Sequence, residues 1–125
     1  MKYPLLREPY DSENKYFKDN PDVAGMATED DRVIFNPYSK VHPKNSDSIY
    51  QNEAARVFIK KSKNKPNFKL TKEQKESFKD YGELADIRST IAARILSGDS
   101  SSGEPTSEQL EYVDWLNKNM QEMGY

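Results

Sequence analysis

The sequence contains no cysteine, a single histidine and five glycines, and nowhere a long apolar run. Without cysteine there is no disulfide framework, no thiolate zinc site and no cysteine nucleophile. His42 has no second imidazole to complete a typical zinc site, and no G-x-S-x-G, S-x-x-K or H-E-x-x-H motif accompanies it. The glycines form no phosphate loop: Gly98 and Gly103 flank serines without the lysine such a loop needs. No segment approaches the ~18 apolar residues of a membrane span. The opening MKYPLLR has too short an apolar run for a signal peptide, so the expectation is a protein made and used without export and without a membrane. A net charge of -2 gives no strong field toward nucleic acid or anionic lipid.

What is present fits one modest domain of 125 residues. Hydrophobic residues make up 34% and charged residues 32%, with a mean hydropathy of -1.02. Such a composition predicts a thin core with solvated ends, or burial completed against a partner. Eight tyrosines, five phenylalanines and a tryptophan argue against wholesale disorder.

Residues 1–22 interleave Pro4, Pro9 and Pro21 with Tyr3, Tyr10, Tyr16 and Phe17, which predicts an extended, aromatic-bearing N-terminal arm. A short helix from about Ser12 to Asp19, capped by Asp11 or Ser12, fits within it. The arm is expected to pack on the domain or on a neighbouring subunit, because exposed aromatics gain from docking. Residues 23–125 form the single α+β, mostly α domain. Val33-Ile34-Phe35 is its best strand, and the weaker Val23–Ala27 pairs with it as a hairpin across Thr28–Asp31.

After a loop carrying His42, a helix is predicted from Ser46 to about Lys61, with Tyr50, Ala54, Val57 and Phe58 on its core face. Thr71–Gln74 and Thr106–Gln109 both read T-x-E-Q, a capping box at the start of a helix. The first opens a short helix ending near Asp80, with Tyr81-Gly82 as the turn. A stronger helix covers about Glu83 to Ser97, with Leu84, Ile87, Ile91 and Ile95 as its stripe and Gly98 at the stop position. Residues 98–105 are a flexible Ser/Gly loop. The last helix runs to about Met123 on a stripe of Leu110, Val113, Leu116 and Met120, flanked by Tyr112 and Trp115. The two boxes are separate instances of capping chemistry and do not mark a repeat. The sum is one hairpin followed by about four short helices.

Chemistry has few places to sit. Glu29, Asp30 and Asp31 are adjacent, point in different directions and lack the spacing of a calcium loop, so they read as the hairpin turn. Glu53 and Arg56 are placed to pair along their helix, or with the Asp30-Asp31 turn across space. Lys60–Lys69 holds five lysines around Phe68, but the pI of about 5.5 and the lack of a nucleic-acid fold signature favour a solvated helix end. No catalytic constellation, cofactor site or metal site is assembled.

The pattern G-M-A-x-E-D…R-V-I-x-N-P-Y, then N-E-A-A-R and I-A-A-R-I-L-S-G-D…P-T-x-E-Q-L-x-Y-V, resembles small uncharacterised proteins of tailed bacteriophages. The resemblance spans Val23 to Leu116 and implies a minor virion or head-tail role, in a virion or host cytoplasm. It transfers no catalytic residue. The leading expectation is a non-enzymatic structural or interaction protein docking on larger assembly proteins, or on itself as a homo-oligomer. Tyr3, Tyr10, Tyr16, Phe17, Val33, Phe35, Trp115 and Tyr125 are its candidate partner-binding residues, from the arms at both ends and the hairpin. The alternatives are a small hydrolase or lytic accessory using His42, Glu53 and Asp30-Asp31, and a regulator binding a host protein or nucleic acid through Lys60–Lys69.

Overall fold

The computed structural model describes residues 2–40, 45–80 and 84–125, and of 84–86 only the backbone. His42 and the Tyr81-Gly82 turn lie outside the described residues, as do the side chains of Leu84 and Ala85. Within them the chain is mostly helical, with one two-stranded antiparallel sheet. The order is α1 (Asp11–Asp19), β1 (Gly25–Ala27), β2 (Val33–Phe35), α2 (Ser46–Lys61), α3 (Lys72–Ser77), α4 (Leu84–Leu96) and α5 (Ser107–Glu122).

α2 is the centre. All four stripe residues predicted for it are buried, and Ala55 and Ile59 join them, because the hairpin, α4 and α5 each pack on it. Its most extensive contact is with α4, and Ala54, Ala55, Ala92 and Ala93 are all fully buried. Small side chains on both helices let the backbones approach closely. Ile87 and Ile91 complete the α4 face, while Ile95 stays half-buried.

In the hairpin Gly25 pairs with Phe35, Met26 with Ile34 and Ala27 with Val33. Asp31 takes a left-handed φ of 60° in the turn, a conformation Asp tolerates. Val33 and Ile34 point to opposite faces yet both are fully buried, so both faces of β2 are covered. Residues 5–7 lie along the other edge of β2: the Val33 N–H donates to the Leu5 carbonyl at 3.0 Å and the Arg7 N–H to the Val33 carbonyl at 3.0 Å. A turn at Pro4-Leu5, closed by the Leu6 N–H donating to the Tyr3 carbonyl at 3.1 Å, leads into this segment, and β2 supplies the partner that ordinary coil would lack. Tyr3 packs on Tyr50 and Phe35, with centroids at 4.9 and 5.7 Å, so the arm lies on its own domain.

Three local expectations are corrected. The N-cap of α1 is Tyr10, not Asp11 or Ser12, because Glu13 reaches back to accept the Tyr10 N–H at 2.8 Å. The short helix after Thr71 ends at Ser77. Leu110 is 50% exposed, and Gln109 takes the inward slot at its side. The capping geometry fixes Gln109 on the inner face and so turns Leu110 outward.

Gly98 and Gly124 both have a left-handed φ, and each closes a helix in the same way. After α4, the Asp99 N–H donates to the Arg94 carbonyl and the Gly98 N–H to the Ile95 carbonyl. After α5, the Tyr125 N–H donates to the Met120 carbonyl and the Gly124 N–H to the Gln121 carbonyl. These are Schellman turns. The second folds Tyr125 back over α5 and onto Phe58, ring centroids 6.0 Å apart.

Candidate functional site

The acidic turn is a lock. The Asp30 carboxylate accepts from Arg7 Nε and Nη2, each at 3.1 Å, and from the Thr28 hydroxyl. Arg7 also forms a bidentate pair with Glu13, at 2.8 and 2.9 Å, and lies 4.0 Å over the Tyr10 ring. One guanidinium therefore ties the arm, α1 and the hairpin turn together. Hydrogen bonding to Arg7 lowers the Asp30 carboxyl to about 2 and holds Glu13 below its usual range. Asp31 pairs with Lys60 at 3.3 Å, which fastens the turn to the end of α2. Among the described residues no group of three potential ligands could hold a metal ion.

Glu53 behaves differently. Its side chain is 16% exposed, with Arg56 Nε at 3.9 Å, and burial pushes its carboxyl up. The neighbouring Arg56 and the Ala27 backbone N–H partly offset that rise. Because Met26 faces Ile34 across the ladder and the Thr28 N–H donates to the Arg32 carbonyl, Ala27 directs its N–H away from β2. Glu53 thus occupies an edge of β1 that would otherwise invite a further strand. Its cleft, about 440 Å³, runs between β1, α2 and the end of α4, past Asn52, Ser48 and Ser97. Asp30 lines another cleft, with Arg7, Tyr10 and Glu13. The acids of the hydrolase reading therefore have separate partners and separate surroundings, and its His42 lies outside the described residues.

The aromatic candidates divide. Phe17 and Val33 are fully buried within the chain, so neither side chain reaches the surface. Tyr3 and Phe35 pack together against Tyr50 and the core, and Trp115 and Tyr125 pack on Phe58, all four half-buried. Only Tyr10 (60%) and Tyr16 (45%) stand out into solvent.

Tyr38, at 48% exposure, joins them, and so do Leu110 and Met123 elsewhere. Tyr10 and Tyr16 belong to the start and body of α1. Tyr38 follows the buried Asn36, whose Nδ2 donates to the Val23, Asn20 and Phe17 carbonyls at 2.6, 3.3 and 3.4 Å. Its Oδ1 in turn accepts the Tyr38 N–H at 2.8 Å. Asn36 thereby holds the Tyr38 loop against the C-terminal end of α1, so that three exposed tyrosines are distributed around this helix: Tyr10 at its start, Tyr16 in its body and Tyr38 beside its end. The N-P-Y run marked a turn in the sequence, but nothing in it indicated that the turn would lie beside α1. Set against protein-family models, curated proteins and solved structures, the chain matches none of them.

Proposed function

We propose that this chain is a non-enzymatic interaction protein that docks on larger proteins through the flank formed by α1 and the Tyr38 loop. The observation that carries the reading is the exposure of Tyr10, Tyr16 and Tyr38 around one helix, in a chain whose other arm aromatics are spent on its own core. Tyrosine brings a large, stiff, amphipathic surface at low entropic cost, which is why it anchors interfaces. The Arg7 lock serves this reading by holding α1 rigidly on the hairpin, so that little ordering remains to be done on binding.

The setting we propose, a phage virion or a similar assembly, comes from the resemblance of the sequence to small tailed-phage proteins. The test is co-purification from assembled particles with intact-mass readout, comparing the native chain with Y10A/Y16A/Y38A. Loss of a stoichiometric partner in the triple variant, with unchanged circular dichroism and melting, is the expected result. Equal recovery of that partner by the triple variant would overturn the reading.

A further inference from the structure

The lysine run leaves a more local feature than its sequence indicates. A cleft of about 570 Å³ opens between the hairpin turn, the C-terminal half of α2 and the middle of α4. That volume falls within the roughly 300–1,000 Å³ usual for ligand clefts. Its lining includes three cations, Arg56, Lys60 and Lys65, and one acid, Glu29, while Glu53 and Asp31 stand outside the lining at 3.9 Å from Arg56 and 3.3 Å from Lys60. We propose that this cleft binds a phosphate group, with Arg56 as the oriented contact and Lys60 and Lys65 as the paired cations.

Arg56 is held before any ligand arrives. Its Nε donates to Asn52 at 3.0 Å and its Nη1 to the Thr90 hydroxyl oxygen at 3.0 Å. Among the described residues its Nη2 has no hydrogen-bond partner, so one edge of a planar donor remains for an oxyanion. Thr90 lines the same cleft and accepts from Arg56, which leaves its own hydrogen to donate.

The lysines are held by weaker bonds. Lys60 bridges Asp31 with its side chain 61% exposed, a pairing of small worth in water. Lys65 donates a single bond to the Ile59 carbonyl at 3.2 Å. A phosphate offers Lys65 a charged acceptor in place of a neutral carbonyl, and Lys60 a second one beside Asp31. Lys63 and Lys69 belong to the same run but do not line the cleft, which separates a built site from a diffuse positive field.

The experiment is a nitrogen-15 NMR titration with sodium phosphate at constant ionic strength set by chloride, repeated with a mononucleotide and a short single-stranded oligonucleotide. Saturable shifts of the Arg56 Nε–H and of the Thr90 and Lys65 amides are expected. K60Q/K65Q should weaken phosphate binding about tenfold or more, while K63Q/K69Q leaves it within about twofold. An oligonucleotide displaced by inorganic phosphate would identify a nucleic-acid backbone as the source. Phosphate binding without oligonucleotide binding would identify a free phosphate compound. Shifts that match those of chloride, or equal losses in the two lysine pairs, would overturn the site. Neither result bears on docking through the tyrosine flank.

Discussion

Gln74 and Gln109, 35 residues apart, hold one another by both ends of their amides: Gln74 Nε2 donates to Gln109 Oε1 at 3.2 Å, and Gln109 Nε2 donates to Gln74 Oε1 at 2.8 Å. Each oxygen also accepts the backbone N–H of its own helix cap, Thr71 at 2.9 Å and Thr106 at 3.2 Å. The remaining hydrogens go to the Ser102 and Lys69 carbonyls, at 3.4 and 3.2 Å. Both side chains are buried, and both amides are fully satisfied. The two capping boxes thus do more than start two helices: their glutamine side chains link the N-terminal ends of α3 and α5.

Replacing one member strands the other. Gln109→Leu leaves the Thr106 N–H and the Lys69 carbonyl without partners and the Gln74 amide with only its bonds to Thr71 and Ser102, and should cost about 2–4 kcal/mol by urea denaturation. Q74L/Q109L should lose clearly less than the sum of the single variants, because no half-satisfied amide remains. Strict additivity would show that the pair does not act as a unit.

The Arg7 lock sets the acid limb of stability. Asp30, lowered from 3.8 to about 2, and Glu13, also lowered, favour the folded state when ionised. Their contribution is complete above the ordinary carboxylate range and is lost as pH falls through the depressed folded values. Stability measured from pH 5 down to pH 2 should therefore fall in the native chain. Arg7→Gln should flatten that limb while leaving the helix content at neutral pH, and an unchanged slope in R7Q would assign the acid sensitivity to other groups.

How much was legible follows the range of the physics. α2 was readable to its ends, Ser46 and Lys61, because its apolar period and terminal lysines are local signals. Val33-Ile34-Phe35 was readable for the same reason, as were both capping boxes. The inward Gln109 was not, since an apolar period assigns a buried slot to Leu110, and only a partner 35 residues away makes the glutamine worth burying. Arg7 looked unremarkable because both of its acids are recruited by tertiary contact. The Tyr10-Tyr16-Tyr38 flank was half visible, as aromatics in an arm. Which aromatics remain outside depends on where β2 and α2 take up the others.

Gly25 brings β1 close against α2. A Cβ there would stand 2.7 Å from Ile49 Cγ2 and 3.0 Å from the Ile34 carbonyl oxygen. Neither neighbour is the far end of a flexible side chain, so Gly25→Ala should destabilise by about 1–3 kcal/mol. Ile49→Ala should recover part of that loss in the double variant, measured by the same denaturation, because it removes the nearer obstacle. A G25A chain as stable as the native one would mean that β1 moves off α2 at little cost.

Glu53 should respond to pH in the opposite sense to Asp30. Its carboxyl is raised above 4.5 by burial, so the folded state binds its proton more tightly than the unfolded chain does. Between the unfolded value and the raised folded one, stability falls as pH rises, and the loss is complete above the folded value. Glu53→Gln keeps an oxygen for the Ala27 N–H and removes the charge. It should abolish this slope and leave neutral-pH stability within about 1 kcal/mol of the native chain. Glu53→Leu has no acceptor and uncovers the β1 edge, so it should cost about 1–3 kcal/mol and speed hydrogen exchange at Ala27. If E53L exchanged at Ala27 as slowly as E53Q, the carboxylate would not be the group that closes that edge.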